Sequence, residues 1–213
     1  MTTIYLVRHG ESTANKEGLF LGQKNRDLTE TGHIQAEKTA EFLSNAQIDK
    51  IFASDLVRAV QTAEHLAVKK GLPVTQDKGI REIDGGEWDF KKFTDLPTLY
   101  PDEYGKWLTD LGHARCVGGE SFVEAKERVY SAMERIAKAN DGKTIAVYSH
   151  GTAIQAFISK IRGVDLSRIR QDQPYATNAS VTTLIYDNGK FTIEKYSQDE
   201  FLGDLVTALP KTV

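Results

Sequence analysis

The sequence is poor in the residues that staple, span or tether a chain. Only one of its 213 residues is cysteine. Cys116 can therefore form no intramolecular disulfide and no thiolate-rich zinc cluster, and a reducing, cytoplasmic setting is expected. No apolar run reaches the ~18 residues of a membrane-spanning helix, and Arg8, His9 and Glu11 interrupt the one candidate signal-peptide core, residues 4–7. Basic charge is not in excess either. The 27 Lys and Arg against 30 Asp and Glu leave a net charge of −3, which gives neither a nucleic acid nor an anionic membrane a global footprint. Any anion site must be local.

What is present suffices for one core. With 40% hydrophobic residues, a chain of this length is expected to bury roughly 70% of its unfolded surface, and residues 1–213 read as a single domain carrying an insertion. Residues 3–7 are short, β-branched and apolar, and stop at Arg8-His9-Gly10, which predicts a buried strand followed by a polar loop. Residues 31–45 carry Ala36, Ala40 and Leu43 on one helical face. A strand over 50–53 follows. Ser54 is the expected cap of a helix whose stripe is Ala59, Ala63 and Leu66. Residues 79–119 lose this regularity and mix aromatics with charges, the mark of a lid-like insertion. Ser121 and Glu124 then form a capping-box signature ahead of a helix to about Asn140. The most hydrophobic strand, residues 143–148, again stops at a polar loop, Ser149-His150-Gly151, with a helix beyond it. Two final strands flank Asn188-Gly189, a hairpin signal. The expected architecture is α/β: a three-layer αβα sandwich with a mostly parallel central sheet and a C-terminal hairpin. Ligands of such sheets bind outside the carboxyl ends of the strands, where Arg8, His9 and His150 lie.

If the two strand-end loops are neighbours, two imidazoles and a guanidinium converge. That combination suits an anion with several oxygens, because arginine offers a fork matched to phosphate. Taken singly, each histidine is as well explained by a structural role or a metal ligand. No H-E-x-x-H or clustered Cys/His spacing accompanies them, however, and Arg8 would repel a cation. No metal and no cofactor are expected.

Taken together, Leu6-Val7-Arg8-His9-Gly10-Glu11-Ser12 with Asn15, Ser54-Asp55-Leu56-Val57-Arg58-Ala59 with Thr62-Ala63, Arg81-Glu82 before Gly85-Gly86, and Tyr148-Ser149-His150-Gly151 resemble the histidine phosphatase superfamily, also called phosphoglycerate-mutase-like. The resemblance covers residues 3–196. It implies a nucleophile at His9, phosphoryl contacts from Arg8, Arg58 and His150, and a general acid and base at Glu82. It further implies a phosphate-contacting amide at Asn15, and Gly151 offers an added N–H donor. His33, His65 and His113 match no family position and read as structural or surface residues. The chain also departs from the pattern. Leu21 stands where the family often has a polar residue before the glycine matched by Gly22, with Gln23 the candidate replacement. The loop Gly86-Glu87-Trp88-Asp89-Phe90 ends in Asp and Phe where the family tends to W-E-G.

The implied substrate is a small phosphorylated metabolite, with no nucleic-acid or membrane partner. A cofactor-dependent phosphoglycerate mutase shares the same phosphohistidine, but the stretch between Glu82 and His150 is shorter than in mutases and lacks their Arg-rich segment. Noncatalytic members of the fold commonly lose a core residue, and none is lost here. A phosphatase of small monoesters is the expectation, with the mutase and the noncatalytic member as alternatives.

Overall fold

The computed structural model describes residues 1–207. Its strands are β1 (Thr2–Arg8), β2 (Lys50–Ala53), β3 (Val74–Gln76), β4 (Thr144–Ser149), β5 (Val181–Asp187) and β6 (Lys190–Gln198). The helices are α1 (Thr13–Glu17), α2 (Glu30–Phe42), α3 (Val57–Lys70), α4 (Leu96–Leu99), α5 (Pro101–Thr109), α6 (Phe122–Lys138), α7 (Gly151–Arg162) and α8 (Ile169–Asp172). One six-stranded sheet runs in the order β3-β2-β4-β1-β5-β6. The first four are parallel; β5 and β6 run antiparallel.

Both faces of the central strands are covered, which is why they read as continuous apolar runs. On one face Ile4, Leu6, Ile145 and Val147 pack against Val129, Met133 and Ile136 of α6 and Ile154, Phe157 and Ile158 of α7. On the other, Val7, Ile51, Ala146 and Tyr148 meet Ala40 and Leu43 near α2 and Ala63 and Leu66 of α3. The three-layer α/β expectation therefore holds. Strand β3 and helix α1 were absent from the sequence reading, because three and five residues are too few for a period to emerge.

Local chemistry sets several boundaries. The Ser121–Glu124 capping box forms as expected, and Asn188 and Gly189 both take positive φ, as a tight hairpin turn requires. Ser54 does not cap α3. Its hydroxyl accepts the Leu56 N–H (3.3 Å) in the turn ahead of the helix, and Leu56 occupies the cap position without a side-chain bond. Residues 79–119 fold around an aromatic cluster of Trp88, Tyr104 and Trp107 joined by Phe20. That cluster continues into Phe122 and Ala125 of α6 and Ala156 of α7. Among the described residues no helix is long and apolar enough to cross a membrane.

Candidate active site

The register of β1 on β4 pairs Arg8 with Ser149, so His9 and His150 follow at equivalent strand ends. Their ring centroids are 5.2 Å apart. The cleft above them has a volume of about 90 Å³ and is lined by Arg8, His9, Asn15, Gly22, Arg58 and Glu82 from the expected set. Leu19, Phe20, Leu21 and Phe93 form an apolar part of its wall. Arg8 and Arg58 are the only cationic lining side chains among the described residues.

His9 is held in one tautomer. Its Nδ1 is 2.7 Å from the Gly10 carbonyl oxygen, an acceptor only, so Nδ1 carries the proton and Nε2 keeps its lone pair. The Arg58 Nε–H points at that Nε2, 3.2 Å away. Burial, followed by the charges of Arg58 and Arg8, holds the His9 pKa well below the ordinary imidazole value of 6.5. A neutral imidazole results, its Nε2 lone pair accepting from Arg58. The carbonyl oxygen of His9 accepts from Asn178 Nδ2 (3.0 Å), and the Gly10 N–H donates to Thr62 Oγ1 (3.0 Å), which fixes the loop from two sides.

The two guanidiniums are anchored to main-chain carbonyls. Arg58 donates to Lys24 (2.8 Å) and Gly22 (2.9 Å), and burial lowers its pKa to about 10. Arg8 donates to Ala176 (2.6 Å), lies 5.2 Å from the centroid of the Tyr175 ring, and leaves its buried Nε unbonded. Such fixed cations do not need to reorganise when an anion arrives. Asn15 spends its Oδ1 on the Ser12 N–H and hydroxyl, both 3.0 Å, and on Asn178 Nδ2 (3.3 Å).

Glu82 sits at the N-terminus of α7. Its carboxylate accepts from Ile83 N (2.9 Å), Thr152 N (3.0 Å) and Ala153 N (2.9 Å). The main chain beneath it is clamped by Arg128 of α6, which donates to the carbonyls of Gly79, Arg81 and Glu82.

Three expected site residues are not among the described residues that line the cleft. His150 is wholly buried, its ring centroid 5.2 Å from that of His9, with neither ring nitrogen bonded to protein. Burial, then Arg58 and His9, hold its pKa well below 6.5 as well. Gln23 does not replace the polar side chain missing at Leu21; it bonds the Glu82 carbonyl (3.1 Å) and Arg81 (3.2 Å). Gly151 is covered by Tyr175, whose ring fills the space a Cβ would take. Asp89 is packed against Gly22 and Gly85 beside Lys24 Nζ (3.7 Å), and burial pushes its pKa up to about 6. Phe90 takes φ +63°, a left-handed conformation that glycine adopts freely and a phenylalanine rarely does.

Sequence reasoning missed Tyr175, Asn178, Thr152 and Arg128. Thr152 directly follows the Ser149-His150-Gly151 motif, whereas Tyr175, Asn178 and Arg128 reach the site from segments without a motif.

Comparison with known proteins places this geometry. The sequence profile of the histidine phosphatase superfamily (branch 1) matches residues 4–199. Phosphoserine phosphatase 1 of Hydrogenobacter thermophilus is 30% identical over 213 residues, all of both chains. Probable phosphoglycerate mutase GpmB of Salmonella paratyphi A is 34% identical over 168 residues, 77% of this chain and 76% of that one. Among solved structures, Bacillus stearothermophilus YhfR aligns with a TM-score of 0.90 at 26% identity, covering 95% of this chain and 100% of that chain.

Proposed function

The chain belongs to the histidine phosphatase superfamily, and from that premise we propose that it hydrolyses small phosphate monoesters through a phosphohistidine on His9. The observation that carries this reading is the state of His9: neutral, held by Gly10 with Nε2 unprotonated, and flanked by Arg8 and Arg58 in the cleft. In the first step Nε2 attacks phosphorus, the N–P bond forms and the ester P–O bond breaks. Arg8, Arg58 and the Asn15 amide take the phosphoryl oxygens. His150, buried beside His9 with two unbonded ring nitrogens, supplies a further donor, since a buried polar ring is costly until something pairs with it.

Glu82 gives its proton to the departing alkoxide and then takes one from the water that cleaves the N–P bond. Three N–H donors, two of them from the first turn of α7, hold that carboxylate in place beside the cleft. Residues 79–119 act as the lid of this one domain, with Phe93 reaching the cleft wall.

A phosphatase is favoured over a mutase because Arg8 and Arg58, both beside His9, are the only cations lining the described cleft. A mutase must also pair the glycerate carboxylate. A relative that matches this chain end to end is named a phosphatase, which supports the same choice. The test is rapid-quench labelling during turnover of a monoester: acid-labile phosphate is expected on His9 alone, with turnover surviving EDTA. Label on another residue, or turnover without a phosphoenzyme, overturns the proposal.

A further inference from the structure

The three histidines outside the family pattern differ in their surroundings. His113 pairs with Asp110 three residues earlier (2.7 Å). His33 of α2 and His65 of α3 instead meet across the helix interface. His33 Nδ1 is 3.3 Å from His65 Nε2, with ring centroids 5.6 Å apart and planes tilted by 50°. His65 Nδ1 lies 3.0 Å from Glu37 Oε2, one turn along α2 from His33. A carboxylate accepts only, so Nδ1 of His65 carries the proton and Nε2 presents the lone pair. Lys69 holds the other oxygen of Glu37 (2.7 Å). Gln61, Glu64 and Val68 complete a solvent-open hollow.

We propose that this hollow binds one divalent transition-metal ion of the Zn²⁺ class, bridged between His33 Nδ1 and His65 Nε2 with water filling the remaining positions. Tetrahedral zinc at Zn–N distances of about 2.05 Å spaces two nitrogen ligands about 3.3 Å apart. The two imidazoles already stand at that separation. Imidazole favours zinc, copper and nickel over magnesium or calcium. Glu37 behind His65 reproduces the carboxylate–histidine arrangement that orients a metal-bound ring and raises its basicity.

On binding, the proton on His33 moves from Nδ1 to Nε2, so the ring stays neutral. Both rings turn until their lone pairs converge, which the exposed His33 is free to do. Among the described residues no group of three or more His, Cys, Asp and Glu can hold a metal. The site therefore has two protein ligands and is reversible, unlike a four-ligand structural zinc. It lies outside the cleft, yet it joins the helices that seat the nucleophile loop: Gly10 bonds Thr62 of α3 and abuts Gly32 of α2.

Calorimetric titration of the full chain with ZnCl₂, and with MgCl₂ as control, tests the proposal. One Zn²⁺ site and no Mg²⁺ site are expected. His33→Ala and His65→Ala should each weaken Zn²⁺ binding by at least tenfold. Glu37→Gln keeps both ligands and should weaken it by about tenfold, the usual effect of losing an orienting partner. His113→Ala should change nothing. Zn²⁺ should raise the melting temperature of the unmodified chain and not that of the His33→Ala/His65→Ala double variant, with metal-free turnover equal in both. Zn²⁺ affinity or a melting shift retained in the double variant, or no Zn²⁺ binding by the unmodified chain, overturns it.

Discussion

The loops Arg8-His9-Gly10 and Ser149-His150-Gly151 look alike in sequence and end neighbouring parallel strands, yet their histidines have opposite surroundings. His9 lines the cleft and has both ring nitrogens bonded. His150 is wholly buried, is not among the lining residues and has neither bonded. The glycines differ as well: Gly10 is pressed against the backbone of Gly32, and Gly151 against the Tyr175 side chain. A shared strand-end position thus fixes where an imidazole sits, whereas the elements packed around each loop fix what it can do.

The largest expected effect would break this comparison outright. His9→Ala should abolish turnover and phosphoenzyme, since no other side chain there presents an unprotonated nitrogen to the cleft. Persistent acid-labile label in that variant would mean the two histidines exchange roles. Glu82, tied through Thr152 and Ala153 to the second loop's helix, comes next. Glu82→Gln should slow phosphoenzyme formation from an alkyl phosphate by ~100 to ~10,000-fold, and far less from nitrophenyl phosphate, whose leaving group needs no proton. Equal losses in burst kinetics would leave Glu82 as a positioning group only. His150→Ala should reduce the same rate by ~100 to ~1,000-fold, the usual loss for one oxyanion donor, while label still forms on His9. An unchanged rate would make His150 purely structural.

Stability sharpens the contrast further. Gly10→Ala should destabilise by about 1–3 kcal/mol, because its methyl would sit 2.5 Å from the Gly32 carbonyl oxygen, and backbone cannot step aside. Gly151→Ala collides with the far end of a tyrosine and should cost less than Gly10→Ala in urea midpoint, with the larger change falling on KM as Tyr175 shifts. The smallest effect concerns pH. Both imidazoles titrate well below their unfolded value of 6.5 when folded. The folded state therefore binds fewer protons, and the stability these neutral rings contribute is present above pH 6.5 and declines as pH falls below it. Replacing His150 with Asn should flatten the fall in urea midpoint below pH 6.5; an unchanged slope would place the titration elsewhere.

Features carried by near neighbours in the chain were legible from residue order alone. The Ser121–Glu124 box, the Asn188-Gly189 turn and the stripe of α3 need only residues a few positions apart, and each formed where it was read. Arg8 and His9 stood out at a strand end and Arg58 and Glu82 through the family resemblance, and all four line one cleft. Ser54 was misread because a hydroxyl can satisfy a turn or a helix equally well, and only the following φ and ψ angles decide between them.

The amino-acid sequence by itself determined the αβα layering, because that follows from patterns repeated within a few residues. Only the tertiary structure decided that His9 lines the cleft while His150 is buried without a bonded ring nitrogen. It also decided that Arg128, 46 residues from Glu82, holds the carboxylate's segment in place, and that Gln23 bonds the Glu82 carbonyl and Arg81. The pairing of His33 with His65, 32 residues apart, was settled in the same way. Burial and hydrogen-bond partnership depend on which distant segments pack together, and residues that meet only through packing leave no mark in the local pattern of the chain.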